Sequence, residues 1–275
     1  MTVGLAAELF GAAVLANALG SAVGMAGGIF VVPVLIAVAH TALPVAIAVS
    51  LVSVVACSCA SAPRFLSAGI ADLRLAIVLE TATATGAFLG VLAVGHVPAR
   101  ALLALFSAVL AVSAVQIVVG RRRARAVRVP TSDLDVRLRL GSDTHRVHHL
   151  PLGLGLMLGA GLLSTLLGIG SGILKIPAMD MALRLPFRVS SATANLMIGV
   201  TAAGGAAAYL VRGEVTADLV APVVLGSVAG SLLGAPALTR LPTGWLRTAF
   251  TVVLVALAVL TAWGVAGSGP FGRIA

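Results

Sequence analysis

The chain has 275 residues, of which 60% are hydrophobic and 10% charged, with a net charge of +9 and a mean hydropathy of +1.13. A soluble domain carries about 25% charged residues, so this composition excludes a water-soluble globule. The positive charge does not point to nucleic acid, because eight arginines sit together in one polar connector, where they act as a topology signal.

The first hydrophobic block covers roughly 3–39. It has no basic residue before its apolar run and no short cleavable core, so it reads as a membrane segment and not as a signal peptide. It is long for one span and short for two. Its middle holds Gly20, Gly24, Gly27 and Gly28, followed by Pro33. Glycine weakens a helix by about 1 kcal/mol relative to alanine, and interior proline by about 3 kcal/mol. Such a cluster at membrane depth predicts a discontinuous helix or a re-entrant hairpin. Blocks at 43–66, 73–95 and 99–120 follow, and complete a first transmembrane repeat over 1–120. Cys57 and Cys59, two apart in an apolar stretch, read as small packing residues. Glu80 stands inside the third block. It is a proton-coupling carboxyl, the partner of an arginine, or a group that backs onto the headgroup region.

The connector, 121–149, carries Arg121, Arg122, Arg123, Arg125, Arg128, Arg137, Arg139 and Arg146 among Asp133, Asp135 and Asp143. It reads as an exposed cytoplasmic loop, with at most an amphipathic turn around Leu134 to Leu140. His145, His148 and His149 read as solvated loop residues without metal-site spacing. Blocks at 150–183, 188–211, 216–239 and 244–266 form a second repeat over 150–275.

The two halves match at an offset of 144 residues. Gly24 pairs with Gly168, Gly28 with Gly172, Pro33 with Pro177, Gly86 with Gly230 and Gly90 with Gly234. The second break therefore falls at Gly168, Gly170 and Gly172. The fold class expected is an all-α polytopic membrane protein of two tandem four-segment repeats, about eight helices. Four crossings per half put both termini and the connector in the cytoplasm, with the Arg64/Arg74 and Arg212 loops on the same side. Twelve arginines then lie inside and five outside (Arg100, Arg184, Arg188, Arg240, Arg247), and the repeats are parallel.

A helix restarting after a break exposes unpaired N–H groups with about half a positive charge, which bind anions. Gly24, Gly27, Gly28, Gly168, Gly170 and Gly172 are the backbone candidates, with close helix packing the alternative. Lys175, the lone lysine, faces either a bound anion or snorkels toward the interface, and Asp180 is available to pair with it, to solvate the same cavity or to join Glu80 in proton coupling. Asn195, in a charge-free span, needs either a facing helix or a ligand oxygen. No nucleotide, nucleophile or metal motif occurs, so neither catalysis, cofactor nor metal is expected.

GMAGGIFVVPVL and GIGSGILKIPAM resemble the glycine-rich helix opening of the TauE/SafE family of sulfite and organosulfonate exporters, and SSATANLMIGVTAAGGAAAYLVRGEV resembles the segment that follows it. The resemblance covers all but the connector. It implies an inner-membrane permease for small sulfur-containing or organic anions, with Thr193 and Asn195 lining the site. Ala194 replaces a hydroxyl of the family's Thr-Ser-Asn, and Val49-Ser50-Leu51 stands where a Thr-Ser pair is usual. The reading is a secondary transporter whose partners are a small anion and the bilayer, open to homo-oligomerisation. A non-transporting scaffold or sulfur-relay component and an intramembrane enzyme are the competing classes.

Overall fold

The computed structural model describes residues 2–93, 96–98, 136–140, 143–147, 150–183 and 185–241, with parts of 101–112 and 244–259. In chain order it contains α1 (Val3–Val23), α2 (Gly28–Val38), α3 (Leu43–Ser67), α4 (Leu73–Ala93), β1 (Val136–Leu140), β2 (Asp143–Val147), α5 (Leu150–Leu167), α6 (Gly172–Met181), α7 (Phe187–Val211) and α8 (Ala217–Arg240). Backbone polar groups find no water in hydrocarbon, so apolar runs of this length close their hydrogen bonds internally as helices. Six of the helices, α1, α3, α4, α5, α7 and α8, are long and apolar enough to cross a membrane. This is a multi-pass membrane protein. The fourth block of each half is helical where described, and otherwise lies outside the described residues.

The connector is not the plain loop expected. Val136–Leu140 and Asp143–Val147 form an antiparallel hairpin, with Val136 opposite Val147 and Leu140 opposite Asp143. The alternating Val-Arg-Leu-Arg-Leu is a period of two, which is a strand signal and not that of an amphipathic turn. His148 and His149 lie outside the described residues.

Two glycine-lined seams hold the helices together. A Cβ at Gly86 of α4 would overlap the carbonyl of Leu158 on α5, and one at Gly90 would come within 2.8 Å of the Leu162 carbonyl. On α8, Gly230 abuts Val14 of α1 in the same way and Gly234 abuts Ala18. Subtracting 144 from Leu158 and Leu162 gives Val14 and Ala18, so both seams are one contact made twice. Without a hydrophobic force between helices in lipid, such close backbone approach is what drives their association.

Helix directions follow from cross-contacts. Asn17 and Ser53 meet through Ser227, and Ser21 meets Cys57, so α1 and α3 run parallel. The α1–α8 seam is parallel as well. Asp72 N–H reaches Thr193 and Thr201 reaches Glu80, so α4 runs parallel to α7. By contrast, Ser58 and Ser61 of α3 contact Asn195 of α7, while Leu51 packs on Gly205, and this pairing is antiparallel. Thus α1, α3 and α8 run one way and α4, α5 and α7 the other.

These directions correct the expected topology. Each helix opposes its counterpart at the 144-residue offset, so corresponding helices are inverted and not parallel. Arg64, Arg74, Arg188 and Arg240 gather at the face where Asp72 lies, and α5 also begins there. Arg212 and the start of α1 lie at the opposite face, so the N-terminus and the end of the connector do not share a side. Arg100, Arg184 and Arg247 lie outside the described residues. The cause is α2, which turns back after α1 and reverses the sense of every later helix.

Single cysteines at the exposed Ala68 and Thr216, in a protein lacking Cys57 and Cys59, should react with an impermeant maleimide from opposite sides of the membrane. Labelling of both from one side contradicts this arrangement.

Candidate functional site

Both breaks depend on left-handed glycine. Gly24 closes α1 at φ 81°, and Gly168 and Gly170 take φ 68° and 62°. A side chain there strains the backbone by roughly 1–2 kcal/mol, so glycine is the residue that permits these turns. Met25 N–H closes back on Gly20 O at 2.8 Å, which ends α1 firmly.

The chain then re-enters helix at Gly28 and at Gly172, and the freed backbone groups take side-chain partners. Asn17 Oδ1 accepts from Gly27 N–H at 3.0 Å. Asn17 Nδ2 donates to Ala13 O and to Ser227 Oγ, each at 2.9 Å. At the second break, Ser164 Oγ accepts from Ser171 N–H at 2.8 Å. Phe30 and Val31 return to Gly27 O, and Leu174 and Lys175 to Ser171 O. This leaves the N–H groups of Gly28, Ile29 and Ile173 without a partner among the described residues.

The two breaks meet. Ser50 Oγ bridges them, lying 3.1 Å from Gly28 O and 2.8 Å from Gly168 O. Gly28 is closed on by Val54, halfway along α3, and Gly172 by Ile198, halfway along α7. Gly170 touches both Val54 and Ile198. The N-termini of α2 and α6 therefore converge at mid-span, and α2 and α6 run away toward opposite faces. Two positive helix ends meet at one point.

Buried side-chain atoms with no hydrogen-bond partner among the described residues are Ser171 Oγ, Ser191 Oγ and Asn195 Nδ2 at this junction, with Arg188 Nε and Ser190 Oγ nearer the start of α7. Ser191, Asn195 and Ile198 fall on one stripe of α7 at helical spacing. Gly24 packs on Ser191 at one end of that stripe and Gly172 on Ile198 at the other. An unpaired buried amide or hydroxyl destabilises by about 1–3 kcal/mol, so these atoms are the polar groups at the junction with capacity left for a further partner.

Known proteins similar to this chain are membrane transporters. The sequence profile described as sulfite exporter TauE/SafE matches residues 9–261. The chain belongs to the TauE/SafE family. It is 27% identical over 228 residues to the probable membrane transporter protein YdhB of Bacillus subtilis (strain 168), covering 82% of this chain and 88% of that one. No solved structure matches significantly.

Within this TauE/SafE protein the expected site residues divide. Gly24, Gly27, Gly28, Gly168, Gly170 and Gly172 all come together at the junction, each in close packing. Asn195 is there too, with Oδ1 2.8 Å from Ser61 Oγ. Thr193 is not, because it accepts from Asp72 N–H at 3.1 Å and ties α7 to the start of α4. Lys175 neither snorkels nor pairs with Asp180. It is fully buried, with Nζ 3.0 Å from Glu80 Oε2 and 2.7 Å from Thr201 Oγ1. Glu80 therefore pairs with the lysine and not with an arginine. Asn17, Ser50, Ser164, Ser171 and Ser191 were missed by sequence reasoning. Asn17 carried the same signal as Asn195, a carboxamide in an uncharged span.

Asn17→Ala should lower stability by about 1–3 kcal/mol, since it strips partners from Gly27 N–H, Ala13 O and Ser227. Asn195→Ala, whose Nδ2 already has none, should shift the melting temperature of the purified protein much less. Equal shifts count against the assignment of Asn17 as the structural carboxamide.

Proposed function

We propose that this protein is a secondary transporter of a small anion: sulfite, an organosulfonate, or a related sulfur-containing or organic anion. The observation that carries the reading is the meeting of the α2 and α6 N-termini beside the unpaired Ser171 Oγ, Ser191 Oγ and Asn195 Nδ2. Membership of the TauE/SafE family supports transport, and the junction supplies N–H, hydroxyl and amide donors suited to an oxyanion. The binding set is Gly24, Gly27, Gly28, Gly168, Gly170, Gly172, Ser171, Ser191 and Asn195. Thr193 acts from outside it, as a tie between helices.

Residues 1–120 and 150–275 act as two repeats inverted about an axis in the membrane plane, joined by the 121–149 connector. Inverted repeats around broken helices give alternating access, since each half can adopt the conformation of the other and open the site to the opposite side. The tightly packed junction then corresponds to an occluded conformation. The protein resides in the cell membrane with the Asp72 face inside. Of the described arginines at helix ends, Arg64, Arg74, Arg188 and Arg240 lie at that face and Arg212 at the other, in line with the positive-inside rule.

Two measurements test the reading. Asn195→Ala should weaken anion uptake into proteoliposomes by roughly five- to a hundredfold in apparent affinity, the equivalent of about 1–3 kcal/mol, with the protein still folded. Normal uptake by that variant, or uptake of none of sulfite, thiosulfate, sulfoacetate and short carboxylates by the wild type, points to a scaffold or enzyme instead. For orientation, Thr216→Cys should label in intact cells and Ala68→Cys only after permeabilisation. The reverse pattern inverts the topology.

A further inference from the structure

The ion pair between Lys175 and Glu80 has no counterpart in the other half. Under the 144-residue offset Lys175 corresponds to Val31, Glu80 to Val224 and Thr201 to Cys57, so the equivalent place is apolar apart from a thiol. Three helices meet in this cluster. Lys175 comes from α6, Glu80 from α4 and Thr201 from α7, and Thr201 Oγ1 also lies 2.6 Å from Glu80 Oε1. Lys175 is completely buried, and the Glu80 side chain is 13% exposed. Replacing such a pair by apolar residues is often neutral or stabilising, so its presence in one half alone calls for a function beyond stability.

The cluster lies beside the proposed anion site. Lys175 starts one turn after Gly172, and helical side chains lean back toward the N-terminus, which brings its ammonium toward the break. Thr201 stands three residues beyond Ile198, the residue that closes on Gly172. An open groove of about 560 Å³ between α4 and α7 reaches Thr201, with Ala84, Ala87 and Gly204 in its walls and Arg212 at its end. Of the elements packed around Glu80, α5 carries no ionisable side chain. On α7, Arg188 and Arg212 lie at the two ends, and Tyr209 lies more than two turns from Thr201. On α6, Lys175 faces Glu80, and Asp180, more than a turn further on, makes an interaction of its own. On α4 itself, Arg74 lies in the first turn.

We propose that Glu80 is a built-in competitor for the transported anion, and that it makes this protein a proton-coupled carrier. The inference rests on the central anion site described above. With no anion bound, the Glu80 carboxylate neutralises Lys175. When Glu80 takes a proton its O–H stays beside Thr201, and Lys175 is left as a buried cation that requires another counter-charge. The anion at the junction of the breaks provides it. One proton and one monoanion thus enter the site together, and the buried charge stays balanced throughout. Release of the anion returns the ammonium to Glu80, which gives up its proton. Bond changes are confined to the O–H of Glu80, and no oxidant or co-reactant is needed.

The test uses the purified full-length protein with isethionate and methanesulfonate as probes, both monoanions that do not titrate near neutrality. Calorimetry in buffers of different ionisation heat should show uptake of about one proton per anion bound, and affinity should fall with rising pH by up to about tenfold per pH unit. Glu80→Gln should bind with no proton uptake and no pH dependence, while Lys175→Met should lose most of its affinity. If Glu80→Gln folds poorly, infrared difference spectra of the wild type serve instead, and a protonated carboxyl band should appear when anion binds. Anion binding by the wild type without proton uptake, or with no such band, overturns the proposal and leaves the central site intact. Failure of the wild type to bind either probe removes the anion site and this coupling with it.

Discussion

A backbone that leaves the helix inside a bilayer must find partners in the protein, and that constraint organises this molecule. Each break frees amide groups where no water reaches them. Asn17 caps Gly27 and Ser164 caps Ser171, each from the helix just before the break. Ser50 gathers the carbonyls of both breaks on one hydroxyl. The other helices are placed so that these few side chains arrive where they are needed. Asn17 in turn is held by Ser227, and Ser227 by Ser53, so the capping of one break draws in α1, α3 and α8 together.

The same constraint separates structural polar groups from those available to a ligand. Asn17 uses both ends of its carboxamide within the protein. Asn195 uses one end on Ser61 and leaves the other buried without a partner. Thr193 is spent on Asp72, and Lys175 on Glu80. What remains at the junction is a small set of neutral donors beside two helix ends. Neutral donors and a positive backbone field bind an anion only moderately, and the one cation nearby has a carboxylate, Glu80, to return to.

Much of this was legible in the sequence, for identifiable reasons. Apolar runs marked the six described spans to within a few residues, because length and charge exclusion are strong signals in lipid. Glycine and proline recurring 144 residues apart marked both breaks, since those residues act on the backbone directly. Direction was lost. A block over 3–39 taken as one crossing gives an even count, whereas α2 turns back, and no local pattern distinguishes these cases. The hairpin at 136–147 was lost because the arginine content drew the reading toward a loop while the alternation pointed to strands. The partner of Lys175 lies 95 residues away, and no helical spacing links Lys175 to Glu80.

The glycine seams bear on what can move. Leu158 and Leu162 of α5 lie against α4, and Val14 and Ala18 of α1 against α8, with backbone meeting backbone and no side chain between them to shear. Each welded pair takes one helix from the first half of the sequence and one from the second. The most closely packed units are therefore not the repeats themselves but these exchanged pairs. A duplication whose copies have traded partners in this way cannot be cut into two independent domains, and neither half of the chain carries a complete wall of its own.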